Sequence, residues 1–448
     1  MKITNKFVIG LIGLLLLLAY GHALHFPFQF DDYNVIVDEP KVHSLSAWWQ
    51  SMPGIRPLLK LSYALNWPLE PAPHIFRAFN LGFHFVTSIL VWRICVELLP
   101  ILRKSVINNR EIALLTAILF ALHPAHSEVV TYISSRSTGL MAMFCVASIF
   151  YWIKFNQTNL KNRIYLTASL LFWLFAVLTK EPAVILPLIA GLIAWFCFPQ
   201  YWSIVALRSK LHYILALMLV VAYLLLMPQY QRLMLHAMDY STLKNQFILQ
   251  PIAHMHYLTQ TLFGLNLNVD YVVETPEIFF SFLCLAVLFL LIFSAFKFKN
   301  QYRLFSFCVL WWFIWLLPSN SILPRPDLIN DRQIYMASIA PIVLVLAGVV
   351  SFSARLRKLK LAWMTPAALI LLMFSATWLR NWDYESEVML WQSSLRRQAN
   401  NSRAWNNLGY AYLQANKKIE AKNAFENALK LDENNYKALA NLKSMNTQ

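Results

Sequence analysis

Apolar runs long enough to cross a bilayer recur along this chain, and no other feature limits its fold so strongly. A helix needs roughly 20 mostly apolar residues to span the hydrocarbon. Such runs lie near 7–25, 78–99, 111–123, 138–154, 164–179, 183–199, 211–227, 278–296, 304–317, 334–352 and 362–379. The pattern predicts an all-α polytopic membrane protein with about eleven spans. Composition agrees: 13% of the residues are charged and 58% hydrophobic, against about 25% charged in soluble domains. The five cysteines all sit in apolar runs without metal-ligand spacing, so no disulfide framework is expected. The first run, after Lys2 and Lys6, is expected to be a retained signal anchor.

The loops order the spans. Short basic loops (102–110, 154–163, 207–210, 296–303 and 354–360) alternate with loops rich in Asp, His, Pro and Trp. Basic loops stay on the cytoplasmic side. This accounts for the net charge of +16, and no nucleic-acid partner is expected. The N-terminus is then cytoplasmic, and an odd number of spans puts the C-terminus outside. Residues 247–264, with His254, His256 and Gln260, would break the alternation as a span. They are read as an interfacial or re-entrant helix.

From about Trp382 the chain turns polar. Trp405, Leu408, Gly409, Tyr412, Ala421 and Phe425 fall at the fixed spacings of one tetratricopeptide unit. One unit cannot bury its own apolar face, so helices at 384–398 and 435–445 are expected to flank it. The expected division is a membrane domain over 1–380 and a helical tail over 381–448. The tail is either a stabilising cap or a docking surface for an acceptor protein.

Ionisable groups near a bilayer are costly unless partners or function accommodate them. The outer-face loops nevertheless gather Asp31, Asp32, His123, His126, Glu128, Arg136, Lys180, Glu181, Arg325, Asp327, Asp331 and Arg332 at the ends of different spans, where they can share a pocket. Adjacent Asp31 and Asp32 can serve as general base, metal ligand, or one of each; the bland alternative is a turn-capping acid. His126 and Glu128 could hold a divalent ion such as Mg or Mn, and a metal-free site is the equal alternative. Lys180 is either a snorkelling lysine or a cation for a lipid-linked phosphate. Arg325 and Arg332 flank Asp327 and Asp331; some of these four pair with each other, and at least one guanidinium is expected on a phosphate. Arg56 is a loop anchor or a further phosphate ligand.

In order along the chain, "FQFDDYNVI", "RPLLKLSYALNW", "FRAFNLGFH", "LFALHPAHSEVVTYISSRSTGLMAMF", "LTKEPAVILP", "INDRQIYMAS" and "NWDYESEVMLW" resemble the motifs of the GT-C glycosyltransferases. Within them the likeness is to the transmembrane and tetratricopeptide repeat-containing protein O-mannosyltransferases. The resemblance covers nearly the whole chain. The tail departs from it, since eukaryotic members carry long repeat arrays and about one unit stands here. The short first anchor and compact length look bacterial, which suggests an inner cell membrane with a periplasmic repeat.

The resemblance implies a polyprenyl-phosphate sugar donor in the outer leaflet, the sugar being mannose or another hexose. It implies a Ser/Thr hydroxyl of a protein as acceptor, and inversion at the anomeric carbon. Asp31 would be the base and Asp32 its support, with Glu128 a further catalytic acid. Lys180, Arg325, Arg332 and Arg56 would hold the donor phosphate. The same fold acting on a lipid or envelope glycan, a membrane-anchored repeat scaffold, and a transporter are the competing readings. A transporter would be expected to bury charge near mid-span, where this sequence has little.

Overall fold

A computed structural model describes residues 4–52, 54–103, 109–201, 205–226, 228, 243–273, 278–320, 327–355 and 364–446. The described residues are helical with no strand. The first long helix, α1 (Asn5–Tyr20), starts where Thr4 accepts from the Phe7 amide at 3.3 Å. It passes through a 3-10 turn into a loop containing the short helices α2 (Leu45–Gln50) and α3 (Pro57–Asn66). That loop is compact and mostly helical.

The membrane part continues with α4 (Pro73–Leu102), α5 (Asn109–Ala121), α6 (Ser127–Thr131), α7 (Arg136–Gln157), α8 (Arg163–Thr179), α9 (Leu186–Cys197) and α10 (Val205–Leu226). It is completed by α11 (Leu243–Phe263), α12 (Ile278–Lys297), α13 (Arg303–Leu316), α14 (Ile339–Arg355) and α15 (Met364–Trp382). Proline marks the breaks: α4 opens at Pro73, and Pro124 opens the turn between α5 and α6. Proline lacks an amide hydrogen and is favoured in a first turn, although Pro100 lies within α4 and Pro251 within α11.

Among the described residues, four segments suffice by length and composition to cross a membrane: Asn5–His25, Pro73–Leu102, Ile133–Gln157 and Ile278–Lys297. The pair Asn109–Ala121 and Pro124–Thr131, bent by 48°, makes a fifth if it is one span. Five shorter apolar helices lie among them, at Arg163–Thr179, Glu181–Cys197, Lys210–Ala222, Arg303–Leu316 and Ile339–Phe352. The expected count of about eleven therefore does not follow from length and apolarity alone, because several expected spans are short or broken. On α12, Phe279, Phe282 and Phe289 are exposed, the pattern of a helix facing lipid.

The two ends of the bundle differ in chemistry. At one end Lys154 meets Glu97 at 2.6 Å, Arg103 bonds Asn109 and Ser351, and Arg303 bonds the Phe196 carbonyl. These contacts belong to the basic loops. The other end gathers the acidic and histidine-bearing loops. There Asn381 donates to the Ala19 carbonyl at 3.0 Å, and Thr131 donates to Asn381 at 2.7 Å. Helix α11 runs along this second end: Gln250 and His254 meet Asn320, Tyr257 meets Gln333, Gln260 meets Asp331, and the Thr261 carbonyl meets His123. Contacts to one end over three turns place it along the rim.

The tail forms α16 (Glu387–Arg397), α17 (Ser402–Gln414), α18 (Lys418–Leu431) and α19 (Tyr436–Asn446). Ser386 and Asn401 cap α16 and α17 through the Met389 and Ala404 amides, supplying acceptors that a helix start lacks. Gly409 explains itself by packing: a Cβ there would meet Phe425 at 2.6 Å. The tail is docked. Arg403 pairs with Asp270 and with Asp327, the Gln398 side chain bonds both backbone groups of Val272, and Asn401 bonds Asp270.

Candidate active site

The first loop is held from below by polar residues on one face of α4. Arg77, Asn80 and His84 stand at i, i+3 and i+7, so they share that face and are all buried. Arg77 donates to the carbonyls of Thr131, Pro27 and Phe26, clamping the loop entry to α6. Asn80 accepts from Arg136 at 2.8 Å. Arg136 also donates to Asn66, the Ser62 carbonyl and the Phe76 carbonyl, and its guanidinium lies 4.7 Å from the Tyr63 ring centroid. One buried cation thus pins α3 and the start of α4 to α7. His84 bonds the Tyr335 hydroxyl and the Ala121 carbonyl.

On this support the two aspartates separate. Asp32 is fully buried and accepts from the Gln29 amide at 3.1 Å and the Ser134 amide at 2.7 Å. Burial pushes its carboxyl up to about 7, against the opposing pull of Arg77 and these two amides. Asp31 is part-exposed; its amide donates to the Tyr132 hydroxyl at 3.1 Å. Phe30, just before it, has φ 46°, a left-handed conformation costly for a bulky residue. Asp32 anchors the turn, and Asp31 is presented by it.

Asp31 lines a cavity of about 240 Å3 that also receives Arg56, Lys180 and Arg332, with Tyr63, Thr138 and Trp315 among its walls. The sequence placed these charged groups on separate loops; the fold brings them to one space. Arg56, itself left-handed at φ 53°, makes a two-point contact with Glu181 at 2.9 and 2.9 Å. Lys180 donates to Thr138 at 2.7 Å. Arg332 lies 3.5 Å from Glu128 and 3.5 Å from the Ser135 hydroxyl, and Glu128 also accepts from the Arg332 amide at 3.0 Å. Below the usual drug-sized range of about 300 Å3, the cavity suits a compact polar group. Three cations facing one carboxylate can bind an anion beside a group able to take a proton.

Several expectations need correction. Glu128 is buried and absent from the cavity lining; it holds Arg332. His126 turns away from Glu128, one ring nitrogen on the Phe120 carbonyl and the other on Ser338. The pair lies in a 3-10 turn and a helix, where the two side chains diverge, so they do not fit a metal between them. Among the described residues no three His, Cys, Asp or Glu side chains gather for one. Among the described residues, Asp331 pairs with Arg380 and Asp327 with Arg403. Arg325 lies outside the described residues. Arg77, Asn80 and His84 entered the sequence reading only inside the stretch "FRAFNLGFH" and were given no role there, although three polar groups on one face of an apolar helix were a readable signal.

A tetratricopeptide repeat family model matches residues 402–435. The human protein O-mannosyl-transferase TMTC3 is 25% identical over 92% of this chain and 49% of its own length. The Caenorhabditis elegans protein O-mannosyl-transferase F38B6.6 is 24% identical over 94% of this chain and 63% of its own. The mouse protein O-mannosyl-transferase TMTC1 is 29% identical over 37% of this chain and 20% of its own. The chain spans about half the length of TMTC3, the first of these relatives. No solved structure matches.

Proposed function

We propose that this chain is an integral-membrane glycosyltransferase that moves a hexose, mannose by analogy with the names of its relatives, from a polyprenyl-phosphate donor to a Ser or Thr hydroxyl of a protein. The observation that carries this is Asp31 in one small cavity with Arg56, Lys180 and Arg332. The donor phosphate lies against the cations and the hexose points to Asp31. Asp31 takes the acceptor's hydroxyl proton, and the oxygen attacks the anomeric carbon from the face opposite the phosphate. The bond from that carbon to the phosphate oxygen breaks with inversion, and polyprenyl phosphate leaves with the bonding pair. Arg332 and Lys180 stabilise its growing negative charge, where preorganised cations act most strongly.

The cavity lies at the end opposite the basic loops. With those loops cytoplasmic, the reaction runs on the outer face, periplasmic in a bacterial inner membrane, and the repeat stands on that side.

The test uses cells carrying the native chain or Asp31→Asn, with intact masses of the outer-compartment proteins. Loss of hexose-sized steps in the variant is expected, matching a general-base effect of about 10²–10⁴-fold. Unchanged protein masses with altered envelope glycolipids would move the acceptor to a lipid. No change in either would leave a scaffold.

A further inference from the structure

Beside the cavity, a second and larger hollow of about 630 Å3 lies between the first loop and helices α16 and α17 of the repeat. Phe30 and Tyr33 wall it, while Asp31 and Val35, from the same short turn, line the cavity. The turn that presents Asp31 is therefore a partition between the two spaces. Its spacing from the repeat is fixed, because the Phe30 amide donates to Glu387 and the Phe30 ring packs on Trp391 with centroids 5.1 Å apart.

The two spaces differ in charge. The cavity carries three cations beside Asp31, two of them, Arg56 and Arg332, also paired with Glu181 and Glu128. The groove is lined by Asp38 and Glu387 without a Lys or Arg among its described lining residues, in a chain of net charge +16. A phosphate-bearing donor is drawn to the first and disfavoured in the second. The groove also presents the side-chain amides of Asn34, Asn407 and Gln414 next to the half-exposed rings of Tyr33 and Tyr410. Primary amides can pair with both the N–H and C=O of an extended backbone, and tyrosines give rigid contact area at low entropic cost.

We infer that this groove is the track for the acceptor: an extended, neutral-to-basic polypeptide segment lies between Tyr33 and Tyr410 and delivers a Ser or Thr hydroxyl past the partition to Asp31. The inference rests on the glycosyltransferase reading above for its chemistry, and on the groove's own lining for its ligand.

The test takes the full-length protein in nanodiscs with fluorescein-labelled dodecapeptides of Thr and Ala bearing three Lys, no charge, or three Glu. Binding is read by anisotropy and transfer with a polyprenyl-phosphate mannose. The Lys peptide is expected to bind at least tenfold tighter than the Glu peptide. Tyr410→Ala and Asn407→Ala should each raise the peptide Kd and KM about tenfold, with kcat within twofold and the donor KM unchanged. Gln414→Arg guards against a folding defect: it should weaken the Lys peptide far more than the neutral one. Asp31→Asn should bind peptide as the native chain does. Preference for the Glu peptide, no binding of any peptide, or groove variants that lower kcat with native KM would each overturn the inference. Should the native chain transfer no mannose while Tyr410→Ala still loses peptide binding, the groove assignment stands and the proposed reaction fails.

Discussion

Glu128 offers a graded test of what the buried carboxylate does. Its Oε2 accepts from the Arg332 amide at 3.0 Å, and its Oε1 lies 3.5 Å from the Arg332 guanidinium. Glu128→Gln keeps an acceptor for the amide and removes the charge. A charged partner is worth about 1 kcal/mol more than a neutral one, and Arg332 is 29% exposed, so screening keeps the loss near that value. At about 1.4 kcal/mol per tenfold, kcat/KM for the donor should fall about five- to tenfold. Glu128→Ala removes both contacts. The Arg332 amide keeps its second acceptor, Asn330, at 3.2 Å, so the further loss is held to about tenfold. Arg332→Ala, which removes the cation proposed to hold the phosphate, should cost about 10²–10³-fold. In that background Glu128→Gln should add less than twofold, because the two act as one unit. Initial rates of hexose transfer from a polyprenyl-phosphate donor give all four numbers. Full additivity in the cycle would refute the argument and make Glu128 a participant in its own right; a native rate in Glu128→Ala would remove it from the site altogether.

Other expectations rest on stability. The Asp32 carboxyl has a folded-state value of about 7 against an ordinary 3.8, so the unfolded chain releases this proton first. Its contribution is fully present below about pH 4, is lost as pH rises towards 7 and is level above. The gap is worth on the order of 4 kcal/mol, and Asp32→Asn should flatten thermal melts over that window. Arg136→Lys should cost about 2–4 kcal/mol, since a lysine cannot reach Asn66, Asn80 and the Phe76 carbonyl together; faster proteolysis of the first loop would register it. Gly409→Ala should cost about 1–3 kcal/mol by overpacking against Phe425, and Phe425→Leu should recover part of it in the melt of the repeat helices.

The sequence carried the helical membrane class, the segregation of basic loops and the single repeat, because apolar periodicity and fixed spacings act locally. It also singled out Asp31, Arg56, Lys180 and Arg332 by their cost near a bilayer. What it could not carry was pairing. Arg56 meets Glu181 across 125 positions, and Arg332 meets Glu128 across 204; residue type says that a charge needs a partner and nothing about which. The helical first loop was hidden for a related reason. The C-terminal half of α3 is held by Arg136, a cation on a distant helix, as much as by its own helical preference.

The tie between Phe30 and Glu387 has a consequence in time. The turn that presents Asp31 is made long before two of its partners, since two of its bonds come from residues 355 and 357 positions further on, Gln29 to the Tyr384 carbonyl and Phe30 to Glu387. A left-handed backbone at Phe30 costs on the order of 1–3 kcal/mol, and until those residues emerge nothing on their side opposes its relaxation. A chain made only as far as Lys180 already carries two of the three cavity cations, Arg56 and Lys180. Asp31 takes its place in the cavity only once Tyr384 and Glu387 have joined the turn, so the cavity is completed by residues made long after those that begin it.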